Sequence, residues 1–245
     1  MKLLKKKFIY NNFCCFILCG GLNSRLKRSG INIHKSLIKY KNFTLLEHHI
    51  KNINKLRIKN CYVNILDKEK EYNLIKKKWS KEIKIKIFKD KVPMGTYGAV
   101  KIREKNLSKN IIIIYGDNYL DLNINSLIAL YNKTNCKFVI GAYKKKDLST
   151  SGKLILKKNI LIRIEEKNKK NKKDINFANA GIYIIKKNLL KNFNYNDYKK
   201  NKKDFAYHLI PDLLKKKEKI IVFKKIKKCI SFDTKSLLKK NRILY

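Results

Sequence analysis

Apolar residues fall into short runs separated by lysine- and asparagine-rich stretches, and the spacing within those runs changes along the chain. Phe13–Cys19 is continuously apolar and ends at Gly20-Gly21, the pattern of a buried strand running into a glycine loop. Thr44-Leu45-Leu46-Glu47 opens a helix, with Thr44 as N-cap and Glu47 three residues on completing a capping box. Leu46, Ile50 and Ile53 give that helix an apolar stripe. Cys61–Leu66 reads as a strand, and Ile83–Phe88 alternates as IKIKIF, which predicts a strand with one solvated face. A helix is predicted from Ala99 to about Asn106. Ile111–Tyr115 (IIIIY) is the run expected of a central parallel strand buried on both faces. Asp121 stands where it would cap the helix that follows Leu122. Strand–helix alternation through the first half predicts an α/β fold with a parallel-rich sheet and helices on both faces.

The pattern changes near Lys137. Lys137–Tyr143, Lys153–Leu156, Ile160–Ile164 and Phe177–Ile185 read as strands with short connections, and helices are predicted over Phe205–Lys217 and Thr234–Arg242. The Lys/Asn run Lys167–Lys173 is expected to be an exposed turn. With no internal repeat and no interdomain linker, residues 1–245 are expected to form one mixed α/β domain.

Charge changes the picture less than its size suggests. The 245 residues include 61 Lys and Arg against 18 Asp and Glu, a formal charge of +43. A nucleic-acid binder selected for contact chemistry should favour Arg, whose planar fork reads phosphate and guanine bidentately. Here 55 of the 61 basic residues are Lys, and Lys, Ile and Asn make up 118 of the 245 residues. That is the signature of AT-rich codon usage, so the charge reads mainly as compositional background. No apolar run approaches the roughly 18–20 residues needed to span a bilayer. The N-terminal apolar run is short and ends in Gly-Gly instead of a small-x-small cleavage site, so it reads as a strand and not a signal peptide. The six cysteines lack CxxC or metal-ligand spacing and are expected to be reduced core residues of a cytoplasmic protein.

Against this background the scarce residues carry the chemistry. Gly20 and Gly21 let backbone N–H groups approach a phosphate without Cβ interference. Arg25 and Lys35 follow on the same loop, with charge suited to a triphosphate or departing pyrophosphate. A structural turn with incidental basic residues would show the same pattern. Asp117 lies just past the IIIIY strand, at the carboxyl edge where parallel sheets bind ligands. There it could hold Mg²⁺ against nucleotide phosphates or simply cap a turn.

Four ordered stretches, spanning about residues 13–242, resemble the sugar-1-phosphate nucleotidyltransferase family. GGLNSRL (Gly20–Leu26), followed by Lys35-Ser36-Leu37, is similar to its GGxGTRL loop and PKP or PKA segment. PMGTYGA (Pro93–Ala99) resembles its base-recognition loop, and Tyr115-Gly116-Asp117 its metal site. Glu166-Lys167 with Asn179-Ala180-Gly181-Ile182-Tyr183 resembles its sugar-side pair. The resemblance is to the short single-domain branch, which includes D-glycero-D-manno-heptose 1-phosphate guanylyltransferases. It implies a Rossmann-like, mostly parallel mixed sheet of the nucleotide-diphospho-sugar transferase type. The nucleotide half would span about residues 10–135, and a β-rich sugar half about 136–245.

The implied reaction transfers an NMP from an NTP to a sugar 1-phosphate, with guanylyl transfer to heptose or mannose 1-phosphate favoured, for cell-surface polysaccharide or glycoconjugate precursors. The implied partners are those two substrates, with no specific nucleic acid and no membrane; the oligomeric state stays open. Gly20, Gly21 and Ser24 would cradle the nucleotide, Arg25 and Lys35 would act on the phosphates, and Gly95 and Thr96 would face the base. Asp117 would bind Mg²⁺, and Glu166, Lys167 and Asn179 would hold the sugar phosphate.

The chain departs from the family pattern at three places. His34 and Ser36 flank Lys35 where prolines are usual. Asn23 takes a glycine position, where an αL backbone is second best in Asn. The C-terminal metal motif becomes Ile230-Ser231-Phe232-Asp233-Thr234. Gapless alignment puts Ser231 at the second metal position, whereas a short deletion puts Asp233 there. Three alternatives stand beside the leading reading: transfer to another phosphorylated acceptor, a catalytically weak nucleotide-binding homologue, and a basic nucleic-acid-binding protein. The Glu166-Lys167 and NAGIY pair argues against the first.

Overall fold

The computed structural model describes residues 10–145, 152–165, 176–192 and 203–243. In the first half, β1 (Phe13–Leu18), β4 (Asn60–Ile65), β5 (Lys84–Lys89) and β6 (Asn110–Tyr115) pair in parallel in the order β5-β4-β1-β6. The second half adds β8 (Phe138–Lys145), β9 (Lys153–Lys157), β10 (Ile160–Glu165), β11 (Asn176–Lys186) and β12 (Ile220–Ile226). Together they form one nine-stranded sheet, continuing β6-β11-β8-β12-β10-β9. Strand β11 runs antiparallel to both β6 and β8, so the IIIIY strand is central but parallel on one side only. Parallel pairing resumes between β8 and β12.

Alternation across β6 explains its unbroken run of isoleucines. Ile112 and Ile114 pack on one sheet face with Cys15, Ile17, Ile50 and Ile182. Ile111 and Ile113 pack on the other with Phe16, Tyr97, Tyr183 and Phe205. Each such side chain contributes about 1.5–3 kcal/mol by leaving water. Edge strand β5 carries Lys84, Lys86 and Lys89, and lysines on an edge discourage pairing with another chain.

The helices are α1 (Ser24–Arg28), α2 (Leu45–Asn54), α3 (Glu69–Lys78), α4 (Thr96–Lys101), α5 (Ile124–Thr134), α6 (Ile210–Lys215) and α7 (Lys235–Lys240). The capping box of α2 forms as predicted: Glu47 N donates to Thr44 Oγ1 at 3.2 Å, and Thr44 N donates to Glu47 Oε2 at 2.9 Å. Three expectations change. Helix α4 starts at Thr96, three residues before the predicted Ala99, because a distant residue caps it (below). Asp121 caps nothing; it lies in strand β7 (Asn118–Asp121), and the Asn123 side chain caps α5. The segment predicted as a helix from Phe205 begins with a π-turn over Phe205–Leu209 before α6. Strand β12, which opens on the apolar run Ile220–Phe223 (IIVF), and a short strand β13 (Lys228–Ser231) add to the predicted strands. The Lys167–Lys173 run lies outside the described residues.

Two small two-stranded sheets complete the fold: β2 (Lys39–Tyr40) with β3 (Phe43–Thr44), and β7 with β13. The second pairs Asn118 with Ser231 and Leu120 with Cys229. A separate apolar cluster joins Leu26 and Ile38 to Phe232 and Leu238, fastening the C-terminal helix beside the glycine loop. No described helix is long and apolar enough to cross a membrane. All six cysteines are free, and five are buried.

Candidate active site

The carboxyl ends of the parallel strands gather the charged residues. Asp117 follows β6 directly, and the β7–β13 ladder returns the chain so that Phe232 N donates to the Asp117 carbonyl at 3.3 Å. Asp233 thereby faces Asp117 across Lys35. Lys35 Nζ donates to Asp233 Oδ1 and stands 3.6 Å from Asp117 Oδ2. Arg25 Nη1 lies 3.3 Å from the other Asp233 oxygen. Burial raises the Asp117 carboxyl above the ordinary carboxylate range, and repulsion from Asp233 adds to this against the pull of Lys35. Burial acts on Asp233 in the same direction, but Lys35, the Ser231 hydroxyl and Arg25 together hold it below that range.

The two candidates left open by the C-terminal motif stand differently in the structure. Asp233 brings its carboxylate to Asp117 and Lys35, while Ser231 supports that carboxylate by a hydrogen bond. Two carboxylates converging on one cation suit a hard divalent ion, which binds through one or two carboxylates and takes its other oxygens from water and phosphates. Among the described residues no group of three His, Cys, Asp or Glu could hold a metal, so the site would need substrate oxygens.

The glycine loop is held from below. Asn64, at the end of β4, accepts from Cys19 N at 3.2 Å and donates to Asp90 at 2.9 Å; Asp90 in turn pairs with Arg103. All three side chains are buried. Open space faces Gly21, leaving room for a ligand against the backbone. Asn23 takes the αL conformation at φ 55°, as expected from its place in the loop.

His34 and Ser36 replace the usual prolines with hydrogen bonds. His34 Nε2 lies 3.1 Å from the Gly21 carbonyl, which can only accept, so Nε2 carries the proton. Nδ1 then accepts from the Tyr72 hydroxyl at 2.8 Å or from Ser36 at 3.0 Å. Burial holds the His34 imidazole below its ordinary range, in keeping with the neutral tautomer. Cys19, beneath the loop, is no nucleophile: burial pushes its thiol up to about 12.

The Pro93–Ala99 loop is arranged differently. Gly95 has φ +76°, and any Cβ there would strike the Lys203 backbone. That close approach lets Tyr97 N donate to the Lys203 carbonyl at 2.9 Å and brings Asp204 over the start of α4. Asp204 Oδ1 accepts from Thr96 N at 2.8 Å and from Thr96 Oγ1 at 2.9 Å, acting as a helix cap supplied from the far end of the chain. Thr96 Oγ1 also accepts from Phe205 N at 3.0 Å and from Tyr115 OH at 3.4 Å. Its donor and both acceptor sites are therefore used within the protein. The expectation that Thr96 faces the base thus rests on its backbone and place in the loop, not on a free hydroxyl.

On the opposite side, Asn179 Nδ2 donates to Tyr183 OH at 2.8 Å, and its Oδ1 accepts from Gly181 N at 3.0 Å. Glu166 and Lys167 lie outside the described residues. Of the other predicted residues, the fold brings Arg25, Lys35, Asp117 and Asp233 into one cluster, with Gly20, Gly21 and Ser24 on the adjoining loop. Sequence reading passed over Asp204, Tyr72 and Tyr115 as side chains. Asp204 was the hardest to find, because its partner is remote in sequence.

A glycine loop at the carboxyl edge of parallel strands, facing a Lys flanked by two carboxylates, is equipped to hold a polyphosphate and neutralise charge at phosphorus. Residues 15–228 match the family described as nucleotidyl transferase. The chain belongs to that family. Among curated relatives of this chain is the D-glycero-alpha-D-manno-heptose 1-phosphate guanylyltransferase of Campylobacter jejuni, 29% identical over 181 residues, covering 72% of this chain and 77% of the relative. A mannose-1-phosphate guanyltransferase of Aspergillus fumigatus is 24% identical over 181 residues, covering 71% of this chain and 50% of its own. The chain spans about half the length of the mannose-1-phosphate enzymes that it matches. In fold, it is similar to HddC from Yersinia pseudotuberculosis complexed with GMP-PN, with a TM-score of 0.75 at 20% identity, covering 93% of this chain and 97% of the other.

Proposed function

We propose that this protein transfers a nucleoside monophosphate from an NTP to a sugar 1-phosphate, releasing pyrophosphate. We further infer GTP as donor and heptose or mannose 1-phosphate as acceptor, in line with the names of its relatives. The observation that carries the reading is the convergence of Lys35, Asp117 and Asp233 from three separate segments beside the glycine loop.

In this reading a phosphate oxygen of the sugar 1-phosphate attacks the α-phosphorus. A P–O bond forms there while the bond to the bridging oxygen breaks, and the electron pair leaves with pyrophosphate. Backbone N–H groups at Gly20 and Gly21, with Ser24 and Arg25, hold the triphosphate. Lys35 neutralises charge developing on the α-phosphoryl oxygens, the largest contribution expected of a fixed cation in such a site. Asp117 and Asp233 hold Mg²⁺, which when bound offsets the charge of the phosphates. Gly95 and Thr96 face the base by their backbone, and Glu166, Lys167 and Asn179 take the sugar phosphate. His34 keeps the Gly21 carbonyl in place.

The test is Mg²⁺-dependent pyrophosphate release measured over a matrix of NTPs and sugar 1-phosphates. Turnover is expected, highest with GTP and heptose or mannose 1-phosphate, and abolished by Asp117→Ala. No release from any pair would overturn the reading, and full activity in Asp117→Ala would remove the metal assignment.

A further inference from the structure

The sugar-side and base-side loops are joined by an uninterrupted series of hydrogen bonds, all pointing the same way. Asn179 Nδ2 donates to Tyr183 OH at 2.8 Å, Tyr183 OH donates to Tyr115 OH at 3.2 Å, and Tyr115 OH donates to Thr96 Oγ1 at 3.4 Å. Thr96 Oγ1 then donates to the Asp204 carboxylate at 2.9 Å. Links that donate in one direction polarise one another, and a carboxylate at the accepting end strengthens the series.

The surrounding packing leaves little freedom. Tyr183 is fully buried, and its ring meets Tyr115 edge-on at a centroid distance of 5.7 Å. Gly181 has φ +71°, and a Cβ there would come within 2.9 Å of the Tyr115 ring, so the irregular stretch of β11 between Asn179 and Tyr183 closes directly onto Tyr115. Burial, and then the neighbouring Tyr183, raise the Tyr115 hydroxyl well above its ordinary range. It therefore stays a donor at every working pH.

We propose that Asn179, Tyr183, Tyr115 and Thr96 form a relay that couples occupation of the sugar-phosphate side to occupation of the nucleotide side, with the two tyrosines as positioning residues. This rests on the reading above of what each end faces. The physical reason is that neither end can turn alone without leaving a part-buried hydroxyl of the tyrosine pair without its donor or acceptor. The 3.4 Å link between Tyr115 and Thr96 is the longest of the series and so its adjustable joint. A ligand that orders one end thereby orders the other, and by linkage the effect is reciprocal.

The test titrates α,β-methylene GTP into the full chain by calorimetry, alone and then with saturating mannose 1-phosphate or heptose 1-phosphate. In the wild type the sugar phosphate is expected to tighten nucleotide binding about fivefold, the scale of one net hydrogen bond. Tyr183→Phe keeps the ring and removes only the central hydroxyl. It should bring the coupling to about onefold while each ligand's separate affinity moves less than about twofold. Tyr115→Phe should do the same, with thermal unfolding run on both variants to show that they are folded.

Coupling undiminished in both folded variants, or absent from the wild type with either sugar, overturns the relay. If wild-type protein releases pyrophosphate while the coupling fails, only the relay falls. If it neither binds the analogue nor releases pyrophosphate from any pair, the functional reading falls and the relay with it.

Discussion

Two neighbouring regions at the same sheet edge are built on opposite principles. Around Lys35 the contacts are ionic: one ammonium is shared by Asp233 and Asp117, with Arg25 behind. Around Thr96 they are neutral, part-buried hydrogen bonds between hydroxyls and an amide, with a single carboxylate at the end. Ionic contacts can exchange partners as charged phosphates and a metal arrive, whereas a saturated neutral network resists change because every broken link leaves a polar atom without its partner. The first region is suited to carry charge through a reaction, the second to hold the substrates in register.

The contrast breaks most sharply at the two C-terminal candidates. Asp233→Ala removes a carboxylate from the ionic region, and kcat/KM should fall about a thousandfold. Ser231→Ala removes only a hydrogen bond to that carboxylate and should cost about three- to tenfold. Steady-state pyrophosphate release on both variants decides it; equal losses would mean that Ser231 does more than support Asp233.

Acid should strike next at a buried imidazole outside both regions. His49 lies in α2, and burial, opposed by a hydrogen bond with the Asn118 backbone and aided by His48, lowers its imidazole from 6.5 to about 4. Between those values the unfolded chain binds more protons, so stability is full above about pH 6.5 and is lost as pH falls toward 4. His49→Gln should flatten the fall in urea-unfolding free energy between pH 7 and pH 4.5 by about 2 kcal/mol. An unchanged slope would show that His49 charges freely in the folded protein.

The smallest expected effect is on the neutral side. Asp204→Ala withdraws the cap of α4 and leaves Thr96 N and Oγ1 without that acceptor, at a cost of about 1–2 kcal/mol of stability. The KM for nucleotide should rise more than kcat falls, because the loop and not the chemistry is disturbed. A purely kcat-directed loss would place Asp204 nearer to the reacting atoms.

Much of this molecule was legible residue by residue. The Phe13–Cys19 run, the Thr44–Glu47 capping box and the IIIIY strand form where their patterns predict. Lys35 and Asp117 meet as the glycine-loop and strand-end patterns suggest. What escaped lies in partnerships across the chain. Nothing local marks Thr96 as the start of a helix, since its cap is Asp204. Strand β7 was hidden because Asn118–Asp121 extends only by pairing with β13. His34 read as a departure from a proline pattern, while its bond to the Gly21 carbonyl and its place beside Tyr72 appear only in three dimensions.

The sequence by itself determined the element types, the parallel first half and the residues able to handle phosphate. Burial and backbone capping act over a few neighbouring positions, and their periods are written directly in the chain. Only the tertiary structure brought Asp233 beside Asp117 and Lys35, capped α4 with Asp204 and linked Asn179 to Thr96. Each of those outcomes depends on how distant strands register across one sheet, and a shift of a single residue there would turn the side chain to the other face.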